Sequence, residues 1–294
     1  MNKLFKGCGT AIVTPFKNKE VNLEKFEELL DFQIANNVDA IIVCGTTGEA
    51  STLTDEEKIS LVTLAVEKCK GKCQVIAGSG SNNTVHSVFL SQKFEQIGVD
   101  GLLVVTPYYN KCNEEGLYNH YKKIADSVSI PIILYNVPSR TNVNISPNLV
   151  KRLSEISNIC GLKEASGNIS QITEIMSKIN SDEFYIYSGN DDQIYPILSL
   201  GGKGVISVAS NILPYEISLL CKSFFENNTK RALNLQLKYL PVIKALFTDV
   251  NPVLIKHSMN LLNYDVGGLR LPLYESNEIN NTLLKNELSK IGLL

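Results

Sequence analysis

A chain of 294 residues, 44% hydrophobic and 20% charged, is long enough to bury a substantial core as one large domain or as a domain with an appendage. A formal charge of -2, a pI near 6.0 and lysines spread without a basic block argue against a nucleic-acid or polyanion surface and leave small-molecule chemistry as the default. No apolar run approaches the roughly 18 residues of a membrane span, and the N-terminal segment lacks a signal-peptide core, so a cytoplasmic protein with no membrane partner is expected.

In chain order, a short branched run at 10–14 (TAIVT) is followed by a segment of helical period at 22–37 (NLEKFEELLDFQIANN). A second run, 40–44 (AIIVC), leads to a second helical segment at 54–70, opened by acids in its first turn. Further strands are expected at 74–78 (QVIAG), 101–106 (GLLVVT), 131–136 (PIILYN), 159–164 (ICGLKE), 184–188 (FYIYS) and 204–208 (GVISV). Eight such units, roughly 25 to 30 residues apart, predict an α/β protein, a (β/α)8 TIM barrel. A doubly wound sheet competes, but GSGSNN at 78–83 does not match the GxGxxG dinucleotide fingerprint. After residue 212 the pattern turns to helices only, at 214–228, 229–247, 251–262 and 277–292. The expected organisation is a catalytic barrel over 1–224 with a C-terminal helical appendage over 225–294.

The run NICGLKEASGN ends a core strand on Lys163. A lone lysine there can simply snorkel into water. In a barrel, however, the C-terminal ends of the strands carry the chemistry, and other polar residues fall at that level: Thr46 and Thr47, Tyr108 and Tyr109, Tyr135 and Asn136, and the SGNDD run after the seventh strand. An amine held among apolar strand ends has its charged form disfavoured, which frees a lone pair to attack a carbonyl. That chemistry forms a Schiff base. The seven cysteines, an odd number without a strong metal spacing, read as reduced thiols, and His86, His120 and His257 stand too far apart in sequence to suggest a metal cluster.

The motifs GTTGE, TPYYN, YNVPSRT, GLKEASGN, GGKGVISV and LRLPL, in this order and spacing, resemble those of the dihydrodipicolinate synthase (4-hydroxy-tetrahydrodipicolinate synthase) family, within the pyruvate-dependent class I aldolase-like superfamily. The resemblance spans essentially the whole chain. It implies a lyase that joins pyruvate to aspartate semialdehyde in diaminopimelate and lysine biosynthesis, with no metal and no organic cofactor. Residue by residue, it implies that Lys163 forms the Schiff base and that Tyr135, Thr46 and Tyr109 relay protons. Thr47 and the main chain of its turn would hold the pyruvate carboxylate, with Gly45 and Gly48 letting the backbone come close. The Ile206 carbonyl would contact bound substrate, and Arg140 would meet the semialdehyde carboxylate. Glu49 is expected to be structural. It further implies a homotetramer built as a dimer of dimers, with Tyr109 donated across the dimer interface.

One departure is Asn142, where the family commonly has glycine; asparagine tolerates positive φ, so the Arg140 loop should keep its shape. Within the superfamily, N-acetylneuraminate lyase and keto-deoxy sugar acid aldolases share the lysine and tyrosine, and VPSRT with its Arg140 cation discriminates against them. A catalytically silent metabolite-binding barrel is disfavoured by the intact Lys163, Tyr135, Thr46 and Tyr109. At the positions matching the family's lysine-effector cleft stand Ala50, Ser51, Asp55, Lys58, Asn82, His86 and Tyr108. With His86 and Lys58 in place of a carboxylate and a histidine, feedback by free lysine is expected to be weak or absent.

Overall fold

The computed structural model describes residues 4–294. Eight parallel strands close into a barrel: β1 (Gly7–Ala11), β2 (Ala40–Val43), β3 (Gln74–Gly78), β4 (Gly101–Val105), β5 (Ile132–Asn136), β6 (Ile159–Glu164), β7 (Tyr185–Ser188) and β8 (Gly204–Ser207). Each pairs with its chain neighbours, and β8 returns to β1. The helices that follow the strands are α1 (Leu23–Ala35), α2 (Asp55–Cys69), α3 (Thr84–Ile97), α4 (Glu114–Ala125), α5 (Pro147–Leu153), α6 (Ile169–Lys178), α7 (Ile194–Ser199) and α8 (Pro214–Phe225). The expected TIM barrel is therefore the fold.

The first strand forms three residues earlier than its branched residues suggest. Its register sets Gly9 opposite Ile206 of β8 and Ala40 of β2. A Cβ on Gly9 would lie 2.6 Å from both Ile42 and Phe5, so the strand needs glycine at a position where strand propensity is poor. The sequence signal consequently began only at Thr10.

Strand residues alternate between two cores, as a period of two requires. Ala11, Ile42, Ile76, Leu103, Ile133, Tyr135, Tyr187 and Ile206 cluster inside the barrel. Ile41, Leu102, Leu134 and Leu162 instead pack outward against helix residues such as Phe26, Leu61 and Phe94. Tyr187 stacks on Phe5 with ring centroids 4.5 Å apart and donates its hydroxyl to the Phe5 carbonyl at 2.6 Å, filling the N-terminal end of the barrel. Asparagine caps set the starts of α1, α3, α4 and α6 through the side chains of Asn22, Asn83, Asn113 and Asn168. Thr54 and Glu57 close a capping box on α2.

Three further helices follow: α9 (Thr229–Leu246), α10 (Val253–Leu261) and α11 (Glu278–Lys290). The C-terminal region does not stand apart from the barrel. Gln236 of α9 donates to the Asp191 carbonyl and accepts from the Tyr195 N–H, and residues between Asn251 and Arg270 reach the loops above β2 and β5. No helix among the described residues is long and apolar enough to cross a membrane.

Candidate active site at the barrel mouth

Register builds the centre. Tyr135 of β5 lies opposite Lys163 of β6, and the next pair up is Asn136 and Glu164. Adjacent in-register residues point to the same face, so Tyr135 and Lys163 share the barrel interior. Lys163 is only 5% exposed, and its Nζ stands 4.3 Å from the centroid of the Tyr135 ring, a desolvated cation–π geometry. Ile206 belongs to the same interior cluster as Tyr135. Behind it, the buried Asp191 carboxylate accepts from the N–H groups of Val208 and Ala209 at 2.9 and 3.0 Å, which fixes the turn leaving β8. Burial raises the Asp191 carboxyl above its ordinary range, while hydrogen bonds from Ser207, Ala209 and Val208 and the field of Lys163 oppose that rise.

The GTTGE turn supplies Thr46, half-buried, and Thr47, buried. It folds on itself through Gly48 N–H to Gly45 O and Glu49 N–H to Thr46 O, both 3.1 Å. Gly48 packs tightly: a Cβ there would stand 3.2 Å from the Ile12 carbonyl and 3.3 Å from Thr14 Oγ1. Gly45 has room around it, with its nearest neighbour at 3.8 Å, so its lack of a side chain serves the open side of the turn. Glu49 adopts left-handed φ 54°, a conformation that costs a non-glycine residue about 1–3 kcal/mol and must be held in place. Its carboxylate holds it: Oε1 accepts from Lys256 Nζ at 2.8 Å and Oε2 from the Arg270 N–H at 3.0 Å. Lys256 also donates to the Thr14 carbonyl at 3.0 Å. Burial lowers the Lys256 ammonium below the ordinary lysine range, and Glu49 opposes that fall.

Arg140 projects from a single helical turn, Pro138–Thr141, closed by Asn142 at φ 56°. Asparagine thus keeps the positive-φ corner, as its tolerance for that region predicts. The turn is tied at its end by Thr106 Oγ1 to Thr141 Oγ1 at 2.9 Å, and beyond it Ile145 N–H donates to Asn136 Oδ1 at 3.0 Å. Asn136 in turn donates to Glu164, whose carboxyl is raised by burial against the pull of hydrogen bonds from Ser166 and Asn136. Arg140 Nη2 donates to the Asn251 carbonyl at 3.0 Å.

A cavity of about 470 Å³ opens at this end of the barrel, lined by Thr46, Tyr135, Arg140 and Asn251 and extending to Lys58, His86 and Tyr108. Lys163, Thr47 and Ile206 do not line it themselves; Lys163 stands behind its wall, with its Nζ over the ring of the lining residue Tyr135. Tyr109 is not brought in: it is 90% exposed and does not line the cavity of its own chain. Asp55, bound by two of the lining residues, accepts from His86 at 2.9 Å and from Lys58 at 3.3 Å. Partial burial pulls the Asp55 carboxyl up, but the hydrogen bonds from His86 and Lys58 together hold it below its ordinary range. Among the described residues, no three His, Cys, Asp or Glu side chains converge where they could hold a metal ion.

Sequence reasoning assigned no role to Asn251, Lys256 or Arg270. Lys256 carried a readable signal, a single cation inside the apolar run PVLIKHSM, since a buried lysine demands a partner. Which partner it takes could not be read.

The model of the dihydrodipicolinate synthetase family matches residues 4–291. The 4-hydroxy-tetrahydrodipicolinate synthase of Clostridium novyi is 52% identical over 285 residues, which cover 97% of this chain and 96% of that protein. The crystal structure of dihydrodipicolinate synthase from Thermotoga maritima aligns with a TM-score of 0.97 at 43% identity, covering 99% of this chain and 100% of that one. The enzyme of Cyanidioschyzon merolae, in a structure with lysine bound, aligns with a TM-score of 0.95 at 39% identity and 99% coverage of both chains.

Proposed function

The chain belongs to the dihydrodipicolinate synthetase family, and from that premise we propose that the mouth of its barrel performs Schiff-base chemistry on Lys163. The protein is a lyase that condenses pyruvate with L-aspartate 4-semialdehyde to give 4-hydroxy-tetrahydrodipicolinate, on the route to diaminopimelate and lysine. The observation that carries the residue assignment is the in-register pair of Lys163 and Tyr135, with the amine over the phenol ring beside the cavity.

The Lys163 amine attacks the pyruvate ketone, and loss of water leaves an iminium. The iminium withdraws electrons from the adjacent methyl carbon, which gives up a proton and becomes the nucleophilic enamine. That carbon attacks the aldehyde of the second substrate. The semialdehyde's own amine then displaces Lys163 from the imine carbon, closing the ring and freeing the enzyme. Tyr135 and Thr46 move the protons. Thr47 holds the pyruvate carboxylate, the Ile206 carbonyl faces bound substrate, and Arg140 takes the carboxylate of the semialdehyde.

The relay is completed by Tyr109 of a second copy, and two such dimers make a homotetramer in the cytoplasm. Support for a second copy comes from the exposure of Tyr109, together with Leu271 at 77% and Tyr274 at 76%. Subunit complementation tests both the lysine and the donated phenol. Chains carrying Lys163→Ala or Tyr109→Phe are expected to be inactive alone and, after proven subunit exchange, to regain activity through one intact site per mixed dimer. Activity of Lys163→Ala by itself, or no recovery after exchange, contradicts the proposal.

A further inference from the structure

Both anion-binding side chains of the proposed site touch one residue that lies outside the barrel. Asn251, between α9 and α10, is 7% exposed. Its Nδ2 donates to Thr47 Oγ1 at 3.0 Å, and its main-chain carbonyl accepts from Arg140 Nη2 at 3.0 Å. The segment that carries it is pinned to the same turn as Thr47 through Lys256 and Glu49 at 2.8 Å. The two contacts are chemically unequal. One is made by the side chain and disappears when the side chain is removed; the other is made by the backbone and survives most substitutions.

A hydroxyl has one proton to give and lone pairs to receive. When the Asn251 amide donates to Thr47 Oγ1, the threonine proton cannot be spent on Asn251 and points elsewhere. Thr47 is thereby set as a donor toward a carboxylate. Without the amide, the hydroxyl rotates freely and has to be ordered when the ligand binds. We propose that Asn251 is a positioning residue for pyruvate, fixing the proton of Thr47 toward the pyruvate carboxylate, while its carbonyl steadies Arg140 independently of the side chain. This rests on the reading of Thr47 and Arg140 as the two carboxylate subsites.

The inference predicts a split between the substrates. Asn251→Ala removes one neutral hydrogen bond, so the half-saturating pyruvate concentration rises about 3- to 10-fold. The KM for the semialdehyde at saturating pyruvate stays within about twofold, because the backbone carbonyl still meets Arg140. Asn251→Asp is worse for pyruvate, about 30-fold or more, since a carboxylate takes the Thr47 proton and also repels the incoming anion. In a Thr47→Val background, Asn251→Ala adds nothing further, the non-additivity expected of two groups acting as one unit.

The experiment is borohydride trapping of the pyruvate adduct on the full chain across a pyruvate titration, with steady-state KM values for both substrates, in the parent, Asn251→Ala, Asn251→Asp, Thr47→Val and the Thr47→Val/Asn251→Ala double variant. The expected result is a pyruvate-specific shift in the order Asp above Ala, with the Asn251→Ala shift abolished in the Thr47→Val background. Equal shifts in both KM values, or additive effects in the double variant, reduce Asn251 to a general structural role and overturn the inference. No adduct in the parent protein would instead overturn the Schiff-base reading itself, so the two failures are distinguishable.

Discussion

Replacing Lys256 by methionine is expected to destabilise the protein more than any surface substitution, because it strands a carboxylate in the core. In the intact protein the side chains of Lys256 and Glu49 are 2% and 0% exposed and 2.8 Å apart. The ammonium also meets the Thr14 carbonyl at 3.0 Å and lies 4.3 Å from the centroid of the Phe16 ring. Methionine restores most of the volume and the contact with Phe16. It leaves Glu49 with the Arg270 N–H at 3.0 Å as its hydrogen-bond donor and no cation in contact. Breaking a buried pair from one side costs about 3–5 kcal/mol. At about 2 °C per kcal/mol for a chain of this size, the midpoint of thermal unfolding should fall by about 6–10 °C. Adding Glu49→Gln removes the stranded charge, and at least half of the loss should return. Far-UV circular dichroism melts of the parent, Lys256→Met, Glu49→Gln and the double variant measure all four corners. A drop below about 2 °C in Lys256→Met, or a double variant no better than Lys256→Met, would mean that Glu49 is not stranded by the loss of the ammonium.

Arg140→Ala removes a charge-assisted contact and is expected to cost about 2–4 kcal/mol of transition-state stabilisation, roughly 30- to 1000-fold in kcat/KM for the semialdehyde, while pyruvate still forms its adduct; parental kcat/KM in a coupled condensation assay counts against the assignment. Free lysine is expected to leave the rate flat up to about 10 mM, because Asp55 is already engaged by His86 and Lys58 and so cannot offer an unpaired carboxylate to a cationic effector; inhibition in the submillimolar range at neutral pH contradicts this. His120 is buried with its Nδ1 2.9 Å from Thr84 Oγ1, and burial lowers its pKa from 6.5 to about 4. Its folded-state value lies below the unfolded one, so the stability it permits is complete above pH 6.5 and declines as pH falls toward about 4, by about 3 kcal/mol. His120→Gln should flatten that part of the profile in urea titrations between pH 7 and 4.5, and an unaltered slope would show that other groups set it.

What could be read from the sequence divides along physical lines. Seven strands announced themselves because short apolar runs fill both faces of a strand that is buried on both sides. The first strand was displaced because Gly7 and Gly9, which its packing requires, carry almost no strand signal. Lys163 and Tyr135 were legible as strand-end residues of one barrel mouth, whereas their in-register pairing is set by how β5 lies beside β6. Asn142 was legible too, since its tolerance of positive φ is a property of the residue itself. The ties that hold the site together were not. Lys256 meets Glu49 across 207 positions and Asn251 meets Thr47 across 204, and no local period or propensity encodes a partner at such a distance. Tyr109 is the remaining case: it is exposed and does not line the cavity of its own chain, and only the family resemblance suggested a use for it.

Whether Lys163 is the amine that takes up pyruvate is measured most directly by reductive trapping. Purified protein is incubated with pyruvate and borohydride, digested and mapped by peptide mass spectrometry. One pyruvate-derived group per chain is expected, on the peptide containing Lys163, with loss of activity in proportion to its formation and no adduct in Lys163→Arg, whose guanidinium stays protonated. A reduced adduct on any other lysine, or fully active protein that traps none, would contradict it.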